Sequence, residues 1–193
     1  VWDNHSVTVS SDTLGTFTFA GHGGSSAASA LDTTAAGDMW DNFDGLGLGE
    51  DAVAVSDSAP GNNSMFYTLP SMVDGLAVSA SYKPRGTGRA SATGMSATYT
   101  GVEGLSVSYG AGTSDSGLAA TKADVNTMKA SYAYGPITVG YSSNEIDLGT
   151  ATSDKETTGW GVSYTVSEAI SVSYGQETID VNTTLGVVDA EYE

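Results

Sequence analysis

Apolar and polar residues alternate with a period of two along most of the chain. In the run LAVSASYK, for example, Leu76, Val78 and Tyr82 share one side of the extended chain. Such alternation predicts β-strands with one apolar side. The clearest runs are SVTVS from Ser6, TFTFA from Thr16, LAVSASYK from Leu76, GMSATYT from Gly94, LSVSYG from Leu105, MKASYAY from Met128, ITVGYSS from Ile137, GWGVSYTV from Gly159 and ISVSYGQ from Ile170. With MFYTLPSM and the terminal GVVDAEYE added, the pattern predicts an all-β chain of about eleven strands.

The second side of each run is made of Ser, Thr, Gly, Ala and an occasional Lys. In a soluble antiparallel sheet the solvent side is usually rich in charges, so small uncharged residues favour a crowded or water-filled interior instead. Most tyrosines share the side of the aliphatic residues, as in the aromatic girdles of a transmembrane barrel. In the terminal run, the same reasoning puts Val188, Ala190 and Tyr192 on the apolar side. A sandwich with a tyrosine-rich core is the alternative.

The connections between the runs alternate in length. Tight turns are predicted at Ser11–Gly15, Val73–Gly75, Val102–Gly104, Tyr134–Pro136 and Ser167–Ala169. Between them lie longer connections at residues 22–64, 85–90, 113–125 and 148–156, with a shorter one at Asn182–Leu185. Tight turns at one end and loops at the other are the plan of an outer-membrane barrel, so this segregation favours the barrel over the sandwich.

Composition narrows the function further. Six Lys and Arg residues stand against twenty-three Asp and Glu residues, a net charge of -17. That charge excludes nucleic acid as a partner, because the phosphate backbone binds cationic surfaces. The absence of cysteine excludes disulfides and thiolate metal sites. The chain starts at Val1 without a signal peptide, so we expect a leader to have been removed or the N-terminus to be missing.

The segment from Leu14 to Tyr82 carries a resemblance to a known family. LGTFTFAGHGGSSAASALD is followed by a long acidic loop and then by NSMFYTLPSMVDGLAVSASY. This order resembles the general porins of Gram-negative bacteria. The resemblance implies a transmembrane antiparallel β-barrel of sixteen strands with a long loop folded into the lumen. About eleven of those strands would lie in residues 1–193, one barrel domain, with the constriction loop at 22–64. The ending AEYE lacks the terminal aromatic residue of such barrels, so we expect the chain to be incomplete.

The resemblance also implies a function and its partners. Such porins lie in the outer membrane, contact its lipid, and let small hydrophilic solutes and ions diffuse through a water-filled pore without any cofactor. They form homotrimers through the wall near the inserted loop. By analogy, the apolar sides of the first two strands would meet neighbouring subunits, with Val7, Val9, Phe17 and Phe19 at the contact.

By the same resemblance, the inserted loop sets the selectivity of the pore. Residues 22–64 contain seven acidic residues and no Lys or Arg. The candidate constriction acids are Asp38, Asp41, Asp44, Glu50 and Asp51. Alternation places Lys83 and Lys129 on the inner side, and Arg85 and Arg89 flank a loop at the mouth. Acids facing these cations would favour cation passage. The simpler alternative is that the acids are merely solvated.

Other chemistry has weaker support. The clustered carboxylates of DMWDNFDG suit calcium, although their spacing does not match an EF-hand loop. The stretch SSAASALD from Ser25 is compatible with a short helix. His5 and His22 are the only histidines, and no serine is singled out beside them, so an enzyme is not predicted. The competing class is a soluble or surface-attached acidic β-rich adhesin or structural protein that binds calcium.

Overall fold

A computed structural model describes residues 4–28, 62–86, 90–115, 117, 122–149, 154–183 and 186–192. These residues form one antiparallel sheet of eleven strands, as the alternation predicts. The strands are β1 (His5–Ser11), β2 (Gly15–His22), β3 (Ser64–Thr68), β4 (Leu76–Lys83), β5 (Ser91–Tyr99), β6 (Leu105–Asp115), β7 (Lys122–Tyr134), β8 (Ile137–Asp147), β9 (Lys155–Ser167), β10 (Ile170–Thr183) and β11 (Gly186–Tyr192). Each strand pairs with the next one in the chain, so the sheet is a continuous meander.

The tight turns are encoded locally by glycine. Val73–Leu76 and Val102–Leu105 share the pattern Val-acid-Gly-Leu. In each turn the leucine N–H donates to the carbonyl of the valine three residues earlier, at 3.0 Å. Gly75 and Gly104 have φ values of 75° and 77°, which residues with a Cβ rarely adopt. The repeated motif therefore fixes two of the hairpins at this end of the sheet.

The strands run further toward the loop end than the sequence pattern predicts. The pattern predicts a loop at residues 113–125, but β6 continues to Asp115 and β7 begins at Lys122. Likewise β9 begins at Lys155, inside the predicted connection 148–156. Polar residues there obscure the alternation, while pairing with neighbouring strands keeps the backbone extended.

The two faces of the sheet differ sharply in burial. Large apolar side chains are exposed on what we call the outer face, among them Val7, Met95, Tyr141 and Val172. Small polar side chains on the other, inner face are buried: Ser81, Ser108 and Ser142 are each at most 9 % exposed. This is the reverse of a soluble domain, where large apolar residues are the buried ones. A sheet curved around a polar interior with its apolar side toward lipid has this pattern.

The outer face is itself divided into two zones. Toward the tight turns it carries aliphatic and aromatic residues, including Trp160 and Tyr174, whose rings meet edge to face with centroids 5.7 Å apart. Toward the loops it becomes acidic: Glu145 lies opposite Glu156, and Glu156 lies opposite Asp180. The boundary follows the row Ser143, Thr158 and Thr178. Aromatic rings with polar groups beyond them mark the edge of an apolar band.

Beyond that boundary the apolar residues take inner-face positions and the acids take outer ones. The predicted outer placement of the apolar residues in the terminal strand is therefore wrong. Val188 and Ala190 lie opposite Val181 and Ile179, and Ile179 lies opposite the inner-face residue Thr157. The register thus puts Val188 and Ala190, and Tyr192 with them, at inner-face positions rather than on the apolar outer side. The acids between them take the outer positions, because these strand ends extend past the band that needs an apolar exterior.

The acidic row makes a stability prediction. Glu145 and Glu156 are directly opposite and both exposed, and like charges in that arrangement repel. Glu156→Gln should raise the free energy of unfolding by about 0.2–1 kcal/mol at low salt, and the gain should shrink as salt screens the charges. The change in the free energy of unfolding is measured by urea titration, with gel mobility used to monitor the folded fraction. The control is Glu168→Gln in the β9–β10 turn, and an equal gain there would contradict the explanation.

Candidate functional site

The chain turns onto the inner face directly after β2. The backbone N–H of Ala27 donates to the Ser81 hydroxyl on β4 at 2.9 Å. Ser26 and Ala28 are completely buried, and Ala28 packs against Val125 of β7 and Ile146 of β8. The first residues of the long connection therefore lie across the inner wall. We call residues 23–28 the entry segment.

Two glycines make room for the entry segment. One cross-strand row on the inner face runs from Ser81 through Gly94 and Gly112 to Val125. Both glycines are buried, between the hydroxyl that holds Ala27 and the side chain that contacts Ala28. Without side chains at these two positions, the wall can accept the segment at close range. The alternation alone gave these glycines no special role.

The base of the long connection is fastened at both ends. The His22 ring nitrogen Nδ1 and the Asn4 side-chain oxygen are 2.9 Å apart. On the far side, the Asn63 N–H donates to the carbonyl of Gly21 at 3.3 Å. Gly23 has a φ of 73° and a Cβ there would overlap the Asn4 side chain. These contacts close the connection into a loop whose first turn points toward the inner face.

Of the predicted site residues, the structure describes three. Lys83 and Lys129 both lie at inner-face positions, and both are half-buried. Arg85 instead forms an ion pair with Asp115 at 2.6 Å, and both side chains are substantially exposed. Arg89, Asp38, Asp41, Asp44, Glu50 and Asp51 lie outside the described residues. Half of the predicted helix SSAASALD, residues 29–32, also lies outside them, and Ala27–Ala28 form a turn.

The inner-face lysines lie at different heights along the wall. Lys129 shares a row with Ser108, Thr98 and Ala77, and Ala77 is six residues before Lys83 on β4. At about 3.3 Å per residue, the two lysines are roughly 20 Å apart along the strand direction. Lys83 is therefore near the loop end, and Lys129 is nearer the middle of the wall.

Two inner-face features are not indicated by the alternation. Lys155 falls in a predicted loop, yet it is the β9 partner of Ile146 and thus joins the row contacted by the entry segment. Asn144 is 3 % exposed, accepts a hydrogen bond from the Thr127 hydroxyl, and finds no acceptor for its Nδ2 among the described residues. Lys155 is found because β9 extends beyond its predicted bounds. The burial of Asn144 is found only from the three-dimensional packing.

This architecture has a counterpart among known sequences. A family profile described as Gram-negative porin matches residues 2–192. The chain belongs to the Gram-negative porin family. The porin resemblance carried by Leu14–Tyr82 is thereby confirmed, and the protein is an outer-membrane β-barrel protein.

Solved structures show the same fold. The porin is similar to OmpT, an outer membrane protein of Vibrio cholerae, with 17% identity, a TM-score of 0.67 and coverage of 97% of this chain and 61% of that chain. Its loop L8 deletion mutant gives 18% identity and a TM-score of 0.65, covering 97% of this chain and 65% of that one. A refined porin structure gives 19% identity and 0.60, covering 95% and 67%.

The chain covers only part of the length of the structures that it resembles. The chain spans 61% to 67% of the length of these three solved structures. A comparison with curated proteins gives no match. In the described part of the chain, no helix combines the length and apolar character needed to cross a membrane. The described ranges also contain no group of three or more His, Asp or Glu residues placed to hold a metal ion.

Proposed function

We propose that this porin is a passive diffusion channel for small hydrophilic solutes and ions, with a preference for cations. The observation that carries the proposal is the entry segment, which leaves β2 and packs on the inner wall at Ser81, Val125 and Ile146. A segment across the interior narrows any pore that the wall encloses. Hydroxyl groups on that wall can exchange hydrogen bonds with passing water and solutes.

The preference for cations is inferred from charge. The connection 22–64 carries seven acidic residues and no basic one. Three of the six basic residues of the chain, Lys83, Lys129 and Lys155, lie at inner-face positions. An acidic loop opposite such a wall sets up a transverse field, and the acids raise the local concentration of cations. The five candidate acids, together with Lys83, Arg85, Arg89 and Lys129, stay proposed as the constriction.

We also propose that the channel is a homotrimer that requires no cofactor and catalyses no reaction. Val7, Val9, Phe17 and Phe19 form an exposed apolar patch on β1 and β2, suited to a second copy or to lipid. Calcium in the acidic loop is a further proposal, which a calcium-dependent change of conductance would support. Membership of the porin family gives no support to the soluble adhesin alternative.

The test is reconstitution. The full-length protein, extracted in detergent and added to a planar bilayer, should produce stepwise increases in ionic current. In a salt gradient, the zero-current potential should have the sign that arises when cations cross toward the dilute side more readily than anions. Protein that stays monodisperse without detergent and gives no current steps would contradict the channel. Current steps without cation preference would contradict only the selectivity.

A further inference from the structure

A cleft opens between the entry segment and the inner face of β1–β3. Its volume is about 320 Å³, at the small end of the range for ligand pockets. Eight of the described residues line it, and none of these eight carries a charge: Ser6, Thr18, Ala20, Gly23, Gly24, Ser25, Ser64 and Phe66. The described lining is therefore uncharged, in a chain whose net charge is -17.

Phe66 is out of place in this setting. It lies opposite Thr18 on one side and Ser81 on the other, so it belongs to the inner face. Across the inner-face positions of β1–β10 that the structure describes, no other Phe, Tyr or Trp occurs. Its neighbours in sequence, Met65 and Tyr67, take the outer positions. The Phe66 side chain is only half-buried, so part of the ring remains accessible from the cleft.

The cleft is held open by its surroundings. Ala27 is fixed to Ser81, and Gly23 is placed by the loop base at Asn4 and His22. On the side of β1, the hydroxyl oxygens of Thr18 and Thr8 lie 3.0 Å apart, and this hydrogen bond holds the Thr18 side chain in place. The entry segment therefore cannot fold down onto the Phe66 ring without breaking these contacts.

We propose that this cleft is a binding subsite for a neutral monosaccharide in its pyranose form. The C–H groups on the apolar side of a pyranose carry small positive charges, and they meet the electron-rich face of the Phe66 ring. Hydroxyls of Ser6, Thr18 and Ser25 can donate to or accept from the sugar hydroxyls. An anion would find no cationic partner among the described lining residues. The inference rests on the proposed channel function and specifies one class of solute.

The test compares D-glucose with D-mannitol in the full-length channel. Glucose should cause saturable excess noise in the current through a single channel, whereas mannitol, which has the hydroxyls but no ring, should not. Phe66→Leu and Thr18→Val should each raise the half-saturating glucose concentration about 2- to 10-fold, with the open-channel conductance unchanged. Tyr141→Leu, an aromatic position on the outer face of β8, is the control and should leave glucose binding unchanged.

Each other outcome overturns the proposal in a recognisable way. A conducting channel with no saturable glucose effect removes the subsite but leaves the channel function intact, whereas the absence of current removes the channel itself. Equal effects of glucose and mannitol exclude stacking on the ring. If an aromatic cation causes excess current noise and glucose does not, the Phe66 ring binds a different class of ligand and the monosaccharide proposal is wrong. If Phe66→Leu fails to assemble, the comparison of the two solutes in the unmodified channel still decides.

Discussion

Replacing Asp38, Asp41 and Asp44 together with Asn should shift the zero-current potential in a salt gradient toward the anion side. Three of the seven acids of the 22–64 connection are lost, so the cation concentration near the loop falls. In a tenfold gradient, where complete selectivity for a monovalent ion corresponds to roughly 59 mV, we expect a shift on the order of 20 mV. The shift should decline at high salt, because screening weakens the field that these three acids exert in the unmodified channel.

The matched control neutralises three acids at the opposite end of the sheet. Asp12, Asp74 and Glu103 lie in exposed tight turns, so changing them to Asn, Asn and Gln removes the same charge far from the loop. The control should move the potential much less. Equal shifts in the two triple variants would mean that overall charge, and not the loop, determines selectivity. No shift in the loop variant would place its acids outside the constriction.

Substituting Ala28 with Asp should release the entry segment from the wall. Ala28 is completely buried against Val125 and Ile146, so the carboxylate would lie among apolar side chains, with the half-buried Lys155 beside Ile146 as the one described cation of that row. Removing a carboxylate from water costs several kcal/mol, which a single neighbouring cation offsets only in part, and we expect the free energy of unfolding to fall by about 3 kcal/mol. The segment can avoid that cost by leaving the wall. The single-channel conductance would then be higher, or it would fluctuate between levels.

Urea unfolding and single-channel recording measure the two effects of Ala28→Asp together. Ala77→Asp is the control, because Ala77 is also an inner-face alanine but is exposed. It should tolerate the charge with little loss of stability. If Ala28→Asp matches this control in stability and in conductance, the entry segment does not narrow the pore. A loss of stability with unchanged conductance would separate anchoring from narrowing.

Much of the wall could be predicted from local pattern. Strand number, the turns at Val73–Leu76 and Val102–Leu105, and the apolar outer side follow from alternation and glycine placement, which act over a few residues. The prediction failed where strands leave the apolar band. There Val188 and Ala190 take inner positions, since alternation shows two sides but not which one meets lipid.

The residue pattern along the chain specified an all-β porin wall, because a period of two and tight glycine turns need only neighbouring residues. It also identified the connection 22–64 as exceptional, through its length and its uncompensated acids. The position of its first residues depends instead on tertiary contacts: Ala27 meets Ser81 and Ala28 meets Val125, partners far along the chain. Cross-strand register brings Gly94 and Gly112 together beneath it and turns Phe66 toward the cleft. Such contacts depend on how strands pair, and pairing is a property of the whole sheet.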